Sequence, residues 1–100
     1  MKIRTVIDGA VASIWLEGKL NVQSSSALKE AMANLPAKVR DLNIDISGLD
    51  YIASAGLRVL IAADKHAIMR GGKMRLLHPK QAVADNLEMT GLSDVLDVES

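Results

Sequence analysis

The stretch DLNIDISGLDYIASAGL, residues 41–57, changes from one hydrophobic period to another. Its first half alternates strictly between polar and aliphatic residues, which is the period of a β-strand with one face buried. Ser47-Gly48 then predicts a turn, and Ser54 predicts the N-cap of an amphipathic helix. This helix is expected to end near Arg70, because Gly71-Gly72 can adopt the left-handed conformation of a helix C-cap. The stretch therefore predicts a half-buried strand followed directly by an apolar helix.

Strands and a helix are also predicted between the N-terminus and this stretch. Asp8-Gly9 is typical of the turn of a β-hairpin, and short aliphatic segments flank it on both sides. A helix follows, since residues 28–35 carry aliphatic side chains at i, i+3, i+4 and i+7. Its N-cap is expected among Ser24 to Ser26, and Pro36 is expected to end it.

The remaining residues extend the same alternation of strands and helices. Residues 74–77 predict a strand, Pro79 suits the first turn of a third helix, and residues 95–98 predict a last strand. Such alternation implies right-handed crossovers and parallel strand pairs beside the N-terminal hairpin. The sequence therefore predicts one α/β domain over residues 1–100, with a mixed sheet of about four to five strands and about three helices packed on one face.

The composition excludes several classes of function. Lysine plus arginine and aspartate plus glutamate number 12 each, so no net charge favours nucleic acid or an anionic membrane. Trp15 and Tyr51 are the only aromatic residues, which is too few for the stacking platform of an RNA-binding domain. The absence of cysteine excludes disulfides and thiolate metal sites and fits a cytoplasmic protein. No segment has the pattern of a membrane span or a secretion signal.

Charge is balanced overall but not along the chain. Residues 64–80 contain five basic residues and one acidic residue, whereas residues 85–99 contain five acidic residues and no lysine or arginine. This asymmetry is consistent either with ordinary solvated surface or with a dipolar docking surface. The pattern alone favours the first interpretation.

Ser54-Ala55-Gly56 matches the second half of the nucleophile elbow of serine hydrolases. Ile52 replaces the first glycine of that motif, and both histidines, His66 and His78, are more typical of surface or cap positions than of a catalytic base. No phosphate-binding loop, dinucleotide fingerprint or metal-spaced cluster of histidines and carboxylates occurs. We therefore expect no catalytic residue, no metal ligand and no cofactor, and a small hydrolase is the minority alternative.

Ser54 admits two interpretations. As an N-cap its hydroxyl would stabilise the helix by about 1 kcal/mol, and this structural role is sufficient to explain it. A phosphate on the same hydroxyl would meet free backbone N–H groups and the positive end of the helix dipole. Arg58, four residues later, could reach back to such a phosphate or to an acidic group on a partner, or could simply extend into solvent.

The segment from Asp45 to Leu57 resembles the signature of the STAS domain, a family named for sulfate transporters and anti-sigma-factor antagonists. In that signature a strand and a short hydrophobic loop lead into a serine at the start of a helix. Three further segments are similar to the family pattern in order and spacing: Gly18-Lys19-Leu20-Asn21, Gly71-Gly72 and Met89-Thr90-Gly91-Leu92. The resemblance covers nearly the whole chain.

For stand-alone bacterial members, the resemblance implies a cytoplasmic anti-sigma-factor antagonist. Such a protein binds an anti-sigma factor, a serine kinase with a histidine-kinase-like ATPase fold, and so frees a sigma factor for transcription. Phosphorylation by that kinase, expected here at Ser54, breaks the complex, and a phosphatase restores it. The partner-binding residues that the resemblance implies are Asn21, Val22, Ala53, Ser54, Ala55, Gly56 and Arg58.

Departures from the family pattern leave an alternative open. The family usually has aspartate where this sequence has Ala53, and commonly where it has Asn21. Both changes remove negative charge beside Ser54, so the alternative is a STAS subunit that is not phosphorylated and stabilises a larger complex, such as a lipid-transport ATPase or a stress-signalling scaffold. Many members also carry a further C-terminal helix, and without it we expect room on the sheet for weak self-association as a homodimer or for a helix of a partner.

Overall fold

Alternating aliphatic side chains make one face of a five-stranded sheet apolar, and the helices pack on that face. The computed structural model describes all 100 residues. In chain order the elements are β1 (Lys2–Asp8), β2 (Val11–Leu20), α1 (Val22–Ala33), β3 (Asp41–Ile52), α2 (Ser54–Met69), β4 (Met74–Leu77), α3 (Gln81–Met89), a 3₁₀ turn (Leu92–Asp94) and β5 (Asp97–Glu99).

The strands follow one another across the sheet in the order β1-β2-β3-β4-β5. The first pair is an antiparallel hairpin that turns at Gly9, where φ is +59°. Every other neighbouring pair is parallel, as expected when a helix or a long connection separates the strands. The α/β fold, the mixed sheet and the three helices predicted from the sequence are confirmed.

The core lies between the sheet and the helices. Ile14 and Ile44 are direct partners on the two central strands, and their exposed fractions are 1% and 0%. The residues that alternate with them, such as Ser13, Asn43 and Asp45, are only partly buried, because they lie on the opposite face. The sheet therefore has one covered face and one open face.

The predicted turn at Ser47-Gly48 is wrong, because β3 continues through it to Ile52. The register with β2 shifts here, so that Trp15 pairs with Asp45 while Glu17 pairs with Gly48. This is a β-bulge, and a Cβ at Gly48 would lie 2.8 Å from the carbonyl oxygen of Leu16. The bulge lets the strand run on to the edge of the sheet where the helices begin.

The N-cap of α1 is Asn21, not one of the predicted residues Ser24 to Ser26. The Asn21 side chain accepts a hydrogen bond from the backbone N–H of Ser24 at 2.9 Å. In return, the Ser24 hydroxyl accepts one from the backbone N–H of Asn21 at 2.8 Å. This reciprocal pair is a capping box, which satisfies two backbone donors and places the helix start three residues earlier.

Two C-terminal boundaries also differ from the prediction. Pro79 precedes the N-cap of α3, which is Lys80, instead of lying in the first helical turn. The last strand begins at Asp97, because the backbone N–H groups of Val95 and Leu96 are bonded to the carbonyl of Leu92. These two residues therefore belong to the end of the 3₁₀ turn and do not pair in the sheet.

Asp64 on α2 gives a prediction about stability. Its side chain is partly buried, and desolvation, followed by the negative charge of Asp97, raises the pKa of the Asp64 carboxyl above its ordinary value. The folded state then binds this proton more tightly than the unfolded state, so ionisation at neutral pH destabilises the fold. Asp64→Asn is expected to raise the free energy of unfolding at pH 7 by about 0.5 kcal/mol, measured by urea denaturation.

The same difference should shrink as the pH is lowered through the raised pKa, because the wild-type carboxyl then becomes neutral. Glu30→Gln removes one exposed negative charge from α1 and serves as the control, and its effect on the free energy of unfolding at pH 7 is expected to be smaller than that of Asp64→Asn. A free energy of unfolding at pH 7 that is lower for Asp64→Asn than for the wild type would contradict the raised pKa of the Asp64 carboxyl.

Candidate functional site

The candidate site lies where β2 and β3 end at the same edge of the sheet. Their parallel pairing ends at Leu20 opposite Ile52, and the backbone N–H of Ala53 donates to the carbonyl of Leu20 at 2.8 Å. Because parallel strands carry the chain to one edge, α1 and α2 both begin there. Asn21-Val22 and Ala53-Ser54, which the family resemblance implies to share a partner surface, therefore lie at the starts of adjacent helices.

Ser54 is the first helical residue of α2, and the N-cap is Ala53, with φ −87° and ψ 166°. The prediction that Ser54 caps the helix is therefore wrong by one position. The carbonyl of Ala53 accepts the first helical hydrogen bond, from the N–H of Leu57 at 3.1 Å, so the backbone and not a side chain sets the helix start. Ser54 is exposed, and its hydroxyl forms no hydrogen bond within the protein. It has no structural partner to lose if it is modified.

Gly56 positions the first turn of α2 against the end of β2. A Cβ at this residue would lie 2.5 Å from Cγ of Leu20, which is fully buried at 0% exposure. Only a residue without a side chain lets the helix approach so closely. Ser54 lies two residues earlier on the same helical turn, so the packing of Gly56 against Leu20 fixes its position at the surface.

Arg58 is exposed and forms none of the three ion pairs of the molecule. Its side chain lines a groove between α1 and α2, and no hydrogen bond joins it to Ser54. The pairing expected for Arg58 is with a phosphate on Ser54 or an acidic group on a partner, so it stays a prediction. A phosphate on Ser54 would supply the anion that is missing beside this cation.

An ion pair between Asp50, near the end of β3, and Lys80, the N-cap of α3, was not predicted from the sequence. The Lys80 ammonium donates a hydrogen bond to Asp50, and this bond and the charge of Lys80 hold the pKa of the Asp50 carboxyl below its ordinary value. The side-chain amide of Asn86 donates a long hydrogen bond, 3.5 Å, to the carbonyl oxygen of Ile52. These contacts hold α3 beside the edge that carries Ser54.

Tyr51 at the same edge was missed by the sequence interpretation. Its side chain is 50% exposed, and Val22 at the start of α1 is 69% exposed. Two features of the sequence could have indicated its role: Tyr51 is one of only two aromatic residues, and it lies three residues before Ser54. Exposed apolar side chains beside a polar rim are typical of a protein-binding surface.

The site does not have the arrangement of a serine hydrolase. His66 lies twelve residues after Ser54 on the same helix, which is about 18 Å along the axis. His78 follows β4 and has a positive φ of 58°. Neither imidazole bonds to the serine, so no general base is in place.

No group of three or more histidines, cysteines or carboxylates lies close enough to hold a metal ion. None of the helices has the length and apolar character needed to cross a bilayer.

A family model described as "Mlab, STAS domain" matches residues 3–97 of the chain. The chain belongs to the STAS domain family. The family resemblance carried by Asp45 to Leu57 is confirmed by this match, which includes all strand residues except Lys2 of β1 and the last two residues of β5.

Relatives of this STAS domain include the anti-sigma-B factor antagonist of Bacillus subtilis (strain 168). It is 27% identical over 85 residues, which cover 85% of this chain and 78% of the relative. The name of this relative describes an antagonist of an anti-sigma factor.

Solved structures share the fold of this STAS domain. An anti-sigma factor antagonist from Mycobacterium paratuberculosis superposes with a TM-score of 0.85 at 20% identity, over 98% of this chain and 84% of that one. SpoIIAA in its unphosphorylated form gives 0.78 at 12% identity, over 99% and 87%. SpoIIAA of Bacillus in its phosphorylated form gives 0.76 at 14% identity, over 99% and 92%.

Proposed function

We propose that this STAS domain is a cytoplasmic anti-sigma-factor antagonist that is switched off by phosphorylation of Ser54. The observation that carries the proposal is an exposed serine, free of hydrogen bonds, at the first position of α2 and beside the start of α1. The name of the Bacillus subtilis relative supports the same role. The partner would be an anti-sigma factor that is also the serine kinase, with a histidine-kinase-like ATPase fold, and a phosphatase would reverse the modification.

The proposed partner surface combines exposed side chains with a tightly packed helix start. Val22 and Ser54 are exposed, whereas Gly56 is buried and contributes the close packing beneath them. The exposed apolar side chain of Val22 lies next to polar groups at the two helix starts, and an apolar centre with a polar rim is the composition of a protein–protein interface. The proposed residues are Asn21, Val22, Ala53, Ser54, Ala55, Gly56 and Arg58.

The helix start explains how a phosphate would act as a switch. The first backbone N–H groups of α2 have no intrahelical partners, so they can bond to a phosphate on Ser54 without any unfolding. The added charge of about −1.5 to −2 would lie at the centre of the interface, where it must be desolvated when the partner binds. The modified domain is thus expected to stay folded and to lose its partner.

The alternative is a STAS subunit that stabilises a larger complex and is not phosphorylated. Ala53 favours it, because the N-cap carries no side-chain acceptor and no charge next to Ser54. The description of the matching family model, which names Mlab, also differs from the names of the antagonist relatives. The two functions make opposite predictions for modification of Ser54.

Incubation with the bacterium's own anti-sigma-factor kinase and ATP is expected to add one phosphate per chain, measured by intact mass spectrometry. Ser54→Ala should remain unmodified, whereas Ser26→Ala, which changes an exposed serine of α1, should be modified like the wild type. A phosphate retained in Ser54→Ala, or absent from the wild type, would reject the switch.

A further inference from the structure

A groove with a volume of about 490 Å³ lies between α1 and α2. Its floor is aliphatic, and its edges carry basic side chains; none of the fourteen residues that line it is acidic. The floor includes Met32, Leu35, Val39, Leu42, Val59 and Ala63. The basic residues are Lys29, Arg40, Arg58, His66 and Arg70.

Small side chains keep this groove open. Ala33 of α1 and Ala62 and Ala63 of α2 lie along it, and alanine side chains cannot fill the space between two helices. Val39 and Leu42 close the bottom, with exposed fractions of 2% and 6%. The groove is therefore a shallow apolar channel above the core and not a gap that reaches into it.

The cations along the groove have no anionic partners. All three ion pairs of the molecule involve Arg75 or Lys80, neither of which lines the groove. Arg70 donates to the carbonyl of Val39 at 3.2 Å, which holds its guanidinium at one end while leaving its charge unpaired. An apolar channel with uncompensated positive edges favours a ligand that is both apolar and anionic.

The spacing of the cations distinguishes between such ligands. Arg58 on α2 and Arg70 at its C-cap lie about 18 Å apart along the helix axis, Lys29 lies on α1, and Arg40 directly precedes β3. A ligand with a single anionic group could pair with only one end of this array. An amphipathic helix of about three turns could place aliphatic side chains on the floor and carboxylates along both edges.

We propose that the groove between α1 and α2 binds an acidic amphipathic helix of a partner protein. The docking site shares Arg58 with the proposed Ser54 surface, and its other residues lie outside that surface. It does not rest on the proposed anti-sigma-factor role. Its recognition chemistry is an i, i+3, i+4, i+7 aliphatic stripe with glutamate or aspartate on both sides.

The probe is a fluorescein-labelled peptide of about fourteen residues with leucine at those positions and glutamate beside them, long enough to span the groove. Fluorescence anisotropy should show saturable binding that is at least tenfold tighter than for the same peptide with lysine replacing glutamate. Lys29→Glu/Arg40→Glu should weaken binding of the acidic peptide about tenfold or more. Ala62→Trp, which fills the groove without changing charge, should also weaken it.

The matched control is Lys38→Glu/Lys65→Glu, which makes the same change in net charge at exposed residues that do not line the groove. Binding should change less than about twofold in this variant, and circular dichroism should show that every variant is folded. Equal weakening by both double variants, or no effect of Ala62→Trp, would overturn the proposal.

Displacement of the peptide by oleate would assign the groove to a lipid instead. Self-association of the wild type that Lys29→Glu/Arg40→Glu abolishes, seen by sedimentation, would assign it to a second copy.

Discussion

Ser54→Asp is expected to weaken binding of this STAS domain to its anti-sigma factor by about 100-fold or more. A carboxylate at the first position of α2 would be desolvated in the interface, and the cost of burying an unpaired charge is several kcal/mol. About 2.7 kcal/mol is already sufficient for a 100-fold change in affinity. Ser54→Ala, which adds no charge, should bind within a few-fold of the wild type.

The effect on the fold should be small, which allows the loss of binding to be assigned to the interface. Ser54 is exposed and forms no hydrogen bond, and an acidic residue at a helix start interacts favourably with the helix dipole. We therefore expect an unchanged or slightly raised Tm for Ser54→Asp.

Isothermal titration calorimetry with the purified anti-sigma factor of the same bacterium measures the change. Ala37→Asp is the control, because it adds the same charge at an exposed residue between α1 and β3, at the opposite edge of the sheet. Wild-type affinity for Ser54→Asp would reject the phosphorylation switch and support the structural-subunit alternative. An equal loss in Ala37→Asp would show that net charge, and not the Ser54 surface, controls binding.

Gly72→Ala is expected to lower the free energy of unfolding by about 3 kcal/mol. A Cβ at Gly72 would lie 1.9 Å from the carbonyl oxygen of Arg40 and 2.4 Å from its carbonyl carbon. These are backbone atoms, so no change of side-chain rotamer can relieve the clash. The N–H groups of Arg40 and Asp41 are bonded to the carbonyl of Ala10 at 2.8 and 3.0 Å, so the clash must disturb the start of β3.

Gly71→Ala is a matched control at the neighbouring residue. Gly71 has a φ of +83°, but a Cβ there would meet nothing within 4 Å. This substitution therefore adds only left-handed backbone strain, which costs about 1 kcal/mol. Urea denaturation of both variants at neutral pH gives the two values. A loss for Gly72→Ala no larger than that for Gly71→Ala would contradict the close approach of α2's C-terminal loop to β3.

Boundaries set by local patterns were largely predictable, and the errors have physical causes. The family pattern located Ser54 at the start of α2, but the preference of serine for the N-cap set the predicted helix start one residue too late. Ala53 is the N-cap, although it forms no side-chain capping bond. The capping box of α1 had a visible spacing, with Ser24 three residues after Asn21, and a run of three serines obscured it. Ser47-Gly48 is typical of a turn, yet strand pairing made it a bulge.

The sequence by itself determined the α/β fold and the exposed start of α2, because hydrophobic periods, glycines and cap residues act over one or two turns of chain. No local pattern places Asn21 beside Ala53, which only the family resemblance implied. Only the tertiary structure decided that Lys80 is bonded to Asp50, and that cations from three segments border one groove. Asn21 and Ala53, and likewise Asp50 and Lys80, are separated by about thirty residues, and the groove cations come from α1, the segment before β3 and α2. Strand register and helix packing bring these groups together. No local pattern specifies such distances, so the docking groove appears only when the helices are packed on the sheet.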